Sequence, residues 1–99
     1  MAGFNTHSQR LIFGENSPAI QAGRIVTVQT LSGTGSLRVG FEFLAQEIPA
    51  KVLVSNPTWA NHHNIIRKSG LQFEEYPYFD AKTKKLQVNQ FLDSLNNAQ

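Results

Sequence analysis

Val28-Gln29-Thr30-Leu31-Ser32-Gly33-Thr34-Gly35-Ser36-Leu37-Arg38-Val39-Gly40 is the stretch on which the reading of this chain turns. Ile25, Val26, Thr27 and Val28 lead into it, a β-branched run that reads as a buried strand. Beyond it, Leu37, Phe41, Leu44 and Ile48 recur at helical spacing, and Phe43 and Ala45 widen the stripe. Between strand and helix lie only small residues, Ser32 to Ser36. A strand that turns through small residues into a helix leaves the first N–H groups of that helix without intrahelical acceptors. Those groups, with the positive end of the helix dipole and the hydroxyls of Ser32 and Thr34, attract an anion. Gly33 and Gly35 carry no Cβ to keep a ligand from the backbone. The stretch therefore reads as a phosphate seat, although Ser and Thr before a helix also serve as plain N-caps and glycines as plain turn residues. Two other phosphate loops are excluded. A P-loop ends in Gly-Lys-Ser/Thr, and here Ser36-Leu37 follows Gly35. A dinucleotide fingerprint needs a small third residue where Arg38 stands and an acid where the next strand ends in Ser55-Asn56.

The rest of the chain bounds what such a seat can belong to. Ninety-nine residues make at most one small domain, burying between about 60% and 70% of its extended-chain surface. A chain 40% hydrophobic and 16% charged is globular in composition rather than disordered. The net charge is +2, and the one basic cluster, Lys82, Lys84 and Lys85, reads as a solvated turn with no aromatic interleaved. Neither a nucleic-acid nor a membrane partner is indicated. Absent cysteines exclude disulfides and thiolate metal sites and fit a cytoplasmic setting. No apolar run approaches membrane-spanning length.

The remaining elements follow in order. Phe4 to Phe13 reads as a helix closed by Gly14, and Ser17-Pro18 opens a short helix reaching Gly23. Pro49 stops the helix that follows the phosphate turn at about Glu47. Lys51–Val54 is a second expected strand, leaving through Ser55-Asn56-Pro57-Thr58, with Thr58 placed to cap a helix from Trp59 to Ser69. Leu71–Tyr76 is a third strand, ended by Pro77, and Asp80 to Thr83 forms a polar turn. Val88, Phe91, Leu92 and Leu95 mark a final amphipathic helix. Alternating helices and strands predict an α/β fold with three parallel strands, in which ligands collect beyond the strands' carboxyl ends. Trp59 stands at such an end, as a packing residue or as the wall of a site. His62 lies one helical turn on and is open to three readings: metal ligand, general base or hydrogen-bonding support. Metal is the weakest of these, since the adjacent His63 diverges from it on a helix and no carboxylate completes a set.

The Val28–Gly40 stretch, followed by Ser55-Asn56-Pro57-Thr58-Trp59-Ala60-Asn61-His62, resembles the class I aminotransferases of the aspartate aminotransferase type. Leu11 to Pro18 (LIFGENSP) and Tyr76 to Leu86 (YPYFDAKTKKL) resemble the corresponding family stretches. The resemblance runs through the whole chain. It implies that residues 1–99 are part of the large, pyridoxal-phosphate-binding domain of a fold-type I transferase, a three-layer α/β/α segment. It further implies that Ser32, Gly33 and Thr34 hold the 5′-phosphate of pyridoxal phosphate and that Trp59 lies against its ring. His62 would support the aspartate that pairs with the pyridine nitrogen. Amino acids and 2-oxo acids are the implied substrates, and the full-length enzyme is implied to be a homodimer. Ala60 stands where many relatives carry Gly, Pro or Glu, and His63 has no family role.

Relatives are about four times longer by the same resemblance. The Schiff-base lysine, the aspartate under the pyridine nitrogen and the substrate-gripping arginine then belong to sequence beyond Gln99, so no catalytic residue is expected in this segment and none of its lysines matches. The resemblance also implies that the dicarboxylate-selecting arginine comes from the second subunit. The family sheet order of 3-2-4-5-6-7-1 separates the Ile25–Leu31 strand from the other two, so the isolated chain is expected to be marginal or aggregation-prone. Two alternatives accompany this reading: an aromatic amino acid aminotransferase, and a small non-catalytic α/β module that binds a phosphorylated ligand.

Overall fold

The structure, a computed structural model, describes residues 2–98. They divide into two compact units, one ending at Ser36 and one beginning at Leu37. In the first, helix α1 (Ala2–Phe13) closes on Gly14, whose φ of +85° is the left-handed turn that glycine adopts without strain. Helix α2 (Pro18–Gln21) has Ser17 at its N-cap and proline in its first turn, and it is shorter than expected because the chain already turns through Ala22 and Gly23.

The strand expected at Ile25–Leu31 does not form. Residues 24–30 belong to no helix or strand, and side chains from α1 take over part of a ladder's work. Asn5 Nδ2 donates to the Thr27 carbonyl at 3.1 Å, and Gln9 Nε2 donates to the Ile25 carbonyl and to Thr27 Oγ1, each at 3.0 Å. A β-branched run disposes the backbone to extend, but a strand is defined by its partner.

Helix α3 (Ser32–Glu47) begins in the first unit and continues in the second, where β1 (Val52–Asn56) and β2 (Phe73–Pro77) form a parallel pair around helix α4 (Asn61–Lys68). The fold is α/β, as expected, with two parallel strands among the described residues in place of three. In register, Val54 faces Glu75 and Ser55 faces Tyr76. Ile66, only 1% exposed, clusters with Val54 and Leu71, and Phe41, Ala45, Val52 and Phe73 pack around them. Tyr76, on the other face of the pleat, meets Phe91 of helix α5 (Val88–Asn96) at a ring separation of 5.1 Å. Helices α4 and α5 therefore cover opposite faces of the pair.

The end of α4 explains why the core gathers there. Leu71 N–H reaches the Ile66 carbonyl and Gly70 N–H the Arg67 carbonyl, with Gly70 at φ +83°. This is a Schellman closure, whose flanking pair, Ile66 and Leu71, is here two-thirds of the buried cluster. Beyond β2 stands a small hairpin that the turn signal alone did not reveal. Strands β3 (Phe79–Asp80) and β4 (Lys85–Leu86) pair antiparallel, pinned by the Asp80 carboxylate on the Lys82 and Thr83 N–H groups and the Thr83 hydroxyl. Among the described residues no helix is long and apolar enough to cross a membrane.

Candidate functional site

The expected phosphate turn is the start of α3. Gly35 N–H donates to the Leu31 carbonyl at 3.1 Å, the first i→i−4 bond of the helix. The N–H groups of Ser32, Gly33 and Thr34, one turn earlier, accordingly have no acceptor inside the helix. Ser32 enters at φ +59°, a left-handed conformation uncommon for a residue with a Cβ. Thr30 Oγ1 bonds Ser36 Oγ, which in turn donates to the Ser32 carbonyl at 3.0 Å. The two hydroxyls thus bracket the turn from either side. A Cβ built on Gly33 would meet nothing within 4 Å, so the turn faces open space. Three free N–H groups and an open approach suit the need of a phosphate dianion for donors.

In the second unit, the chain leaves β1 through a cis Asn56–Pro57 peptide and enters α4 at Asn61. Thr58 does not cap this helix, contrary to expectation. Ala60 holds the N-cap position with no side-chain bond, and Thr58 Oγ1 instead meets His62 Nδ1 at 2.8 Å. The helix starts late because Trp59 is spent on the turn, its carbonyl accepting from His62 N–H at 3.0 Å. Trp59 and His62 are brought together edge to face, ring centroids 5.3 Å apart and planes at 87°. The indole remains 51% exposed, so it is not a core residue of the described chain. With Nδ1 engaged by Thr58, the other ring nitrogen of His62 is the one left for a second partner. A groove of about 230 Å³ between α3, β1 and α4 is lined by Leu37, Phe41, Ser55, Thr58, His62 and Tyr76. The larger cavity, about 470 Å³ between β2 and α5, holds none of the residues singled out from sequence.

Two further residues, His63 and Glu75, stand beside this turn. His63 stacks on Phe73, with ring centroids 4.5 Å apart and planes 7° from parallel. Its Nε2 lies 2.9 Å from Glu75 Oε1, close but out of hydrogen-bond alignment. Glu75 also accepts from Asn56 Nδ2 at 2.8 Å through its other oxygen. The signal for Glu75 was in the alternation. Phe73, Glu75 and Pro77 share the face that buries Val54, and a charge on such a face calls for partners.

Comparison with known proteins bears on all of these residues at once. Residues 2–99 match the model of the family described as aminotransferase class I and II. A cytoplasmic aspartate aminotransferase of Oryza sativa is 46% identical over 99 residues, covering 99% of this chain and 24% of that protein. An aspartate aminotransferase of Haemophilus influenzae is 40% identical over 99 residues and is covered to 25%. Among solved structures, cytoplasmic aspartate aminotransferase from Saccharomyces cerevisiae superimposes with a TM-score of 0.90 at 38% identity, over 100% of this chain and 24% of that one. An aromatic-amino-acid aminotransferase from Burkholderia pseudomallei, covalently bound to pyridoxal phosphate, gives 0.89 at 40% identity, over 100% and 25%. The chain thus spans about a quarter of the length of these relatives. Matched end to end at this identity, it belongs to the class I and II aminotransferases.

Proposed function

We propose that this chain is the part of an aspartate aminotransferase that seats pyridoxal 5′-phosphate, in an enzyme that exchanges amino groups between amino acids and 2-oxo acids. The observation that carries the reading is the end-to-end match to aspartate aminotransferases, together with a pyridoxal-phosphate-bound structure at 40% identity. The residues present fit the group. Ser32, Gly33 and Thr34 hold the 5′-phosphate through the free N–H groups at the head of α3 and the hydroxyls of Ser32 and Thr34 themselves. Trp59 restricts the tilt of the ring and keeps water from its face. His62, oriented by Thr58, supports the aspartate that keeps the pyridine nitrogen protonated. When bound, the cofactor supplies an electron sink for the substrate's α-carbon. The lysine that anchors it and the arginines that grip the substrate lie outside the chain, so these 99 residues alone lack catalysis. Residues 1–99 then form part of the cofactor-binding large domain of a homodimer. The names of the rice and yeast relatives favour a cytoplasmic setting.

An aromatic amino acid aminotransferase is the second reading, favoured by the Burkholderia structure. A stand-alone phosphate module has no comparable support. Sequencing the gene on both sides of this segment tests the proposal. A downstream frame with a strand-borne aspartate and a later anchoring lysine supports it, whereas stop codons on both sides refute it. At the bench, pyridoxal phosphate and borohydride should give no stoichiometric adduct with the 99-residue chain and one adduct per chain with the full-length protein. In the latter, Ser32→Ala or Thr34→Ala should weaken cofactor retention by about one to two decades, the loss of one hydrogen bond to a charged group (~1.5–3 kcal/mol). Retention unchanged in both variants would remove the phosphate from this turn.

A further inference from the structure

We propose that Glu75 is a positioning residue for the turn that carries Trp59. That turn has two anchors, Asn56 at the end of β1 and the first residues of α4. Glu75 reaches both from β2, with Oε2 on Asn56 Nδ2 at 2.8 Å and Oε1 facing His63 Nε2 at 2.9 Å. One carboxylate therefore accepts a hydrogen bond from the residue before Pro57-Thr58-Trp59-Ala60 and lies against the imidazole of a residue in the helix that follows it. The parallel register makes this possible, since Glu75 stands opposite Val54 and Asn56 lies two residues on along the same face. His63 is held for the contact by stacking on Phe73, and Arg67 lies over the same ring at 4.8 Å.

The first turn of α4 has no acidic residue of its own and no capping side chain at Ala60. Glu75 supplies a negative charge there from a neighbouring strand, where the helix dipole favours one. Immediately beside this tether, His62 meets the indole edge to face. The contacts of Glu75 are half-exposed, and pairs of that kind add little to global stability. Their effect is geometric: they limit the swing of the turn, and with it the orientation of the indole. The value of a fixed indole to a cofactor ring rests on the proposed function above, whereas the tether itself does not.

Trp59 is the single tryptophan of the chain, so its fluorescence reads the tether directly and without cofactor. Glu75→Ala in the full-length protein without cofactor, with any tryptophan outside this segment replaced by phenylalanine, should raise the amplitude of nanosecond anisotropy decay of Trp59 about twofold while the far-UV spectrum is unchanged. Glu75→Gln should rescue it, because its amide oxygen still accepts from Asn56 and its amide N–H can meet a neutral His63. Glu74→Ala is the control: it removes the adjacent carboxylate, which pairs with Lys51 at 2.9 Å, and should leave Trp59 as it was. If Glu75→Ala fails to fold, Asn56→Ala against Glu75→Gln makes the same comparison, with motion increased in the first and not in the second. Equal anisotropy in Glu75→Ala and the parent, or an equal change in Glu74→Ala and Glu75→Ala, overturns the proposal. Equal values for Asn56→Ala and Glu75→Gln do the same in the fallback comparison. Since no cofactor is present, failure here leaves the pyridoxal phosphate reading standing, and failure of that reading leaves the tether.

Discussion

Residues 24–30 and β1 (Val52–Asn56) are both extended, both rich in β-branched or aliphatic residues, and both lead toward a helix that opens on a candidate site. They differ in what completes them. β1 has a parallel partner in β2, and Val54 is among the most buried residues of the chain at 7% exposed. Residues 24–30 have the amide side chains of α1 as their partners, and Val28 is 68% exposed. Side chains from a helix can satisfy carbonyls, but they bring no second apolar face with them. A ladder does both, and burial follows the ladder rather than the composition.

The largest expected effect tests that difference directly. Ile66→Ala opens a cavity under β1 in a side chain that is almost fully enclosed, and should destabilise the second unit by about 2–5 kcal/mol. Val28→Ala removes atoms that already touch water and should fall within about 0.5 kcal/mol of the parent. Urea titration followed by circular dichroism measures both. In a chain expected to be marginal the first loss is a large share of the total, so the Ile66 variant should be largely unfolded before urea is added. Comparable losses at the two positions would show that residues 24–30 are stabilised by burial after all, and the contrast would collapse.

How much of this was legible in the sequence follows the same division. Helices α1, α3 and α5 were readable from local periodicity, because a helix satisfies its own backbone. β1 and β2 were displaced by one or two residues from expectation, and their partnership was readable only through the alternation of elements. The strand at Ile25–Leu31 was legible as extended backbone, yet its side-chain partners Asn5 and Gln9 lie on a helix some 20 residues away, which no window covers. The β3–β4 hairpin was missed because its two strands are two residues each, and Asp80 to Thr83 announced only the turn. Trp59 and His62 were paired correctly by helical spacing, although α4 begins two residues after Trp59 and Thr58 binds an imidazole in place of the helix end. Glu75 was invisible as a partner of Asn56 until the register was known.

Two glycines sharpen the comparison at a smaller scale. Gly70 at φ +83° closes α4, and a Cβ there meets no neighbour but stands in a left-handed conformation, so Gly70→Ala should cost about 1–2 kcal/mol. Gly33 lies in the first turn of α3 with helical backbone and open space around it. Gly33→Ala should leave stability level or raise it by up to about 1 kcal/mol. If Gly33→Ala in the full-length protein nevertheless weakens cofactor retention, the loss comes from the approach to the backbone and not from the fold. Retention and melting temperature measured on the same variant separate the two.

The smallest effect concerns the third extended region, β3–β4, whose turn, like residues 24–30, is satisfied by side chains. Here the side chain titrates. The Lys82 N–H, first, and then the Thr83 hydroxyl hold the Asp80 carboxyl below its ordinary value; desolvation opposes them, and the Thr83 N–H adds a lesser pull in the same downward direction. A carboxyl whose folded value is depressed contributes stability that is present above the unfolded value and lost as the pH falls through the folded one. The hairpin should therefore loosen as pH drops below about 4, the ordinary aspartate range. Residues 24–30 should not respond, because Asn5 and Gln9 carry no titrating group. The amide resonances of Lys82 and Thr83, followed against those of Thr27 and Val28 on acidification, measure this. In Asp80→Asn the acid-dependent shift should vanish while the turn persists, the amide oxygen still accepting from Lys82. A parallel acid response in both regions would place its origin outside Asp80, and the side-chain-satisfied segments would then share a dependence that their chemistry does not provide.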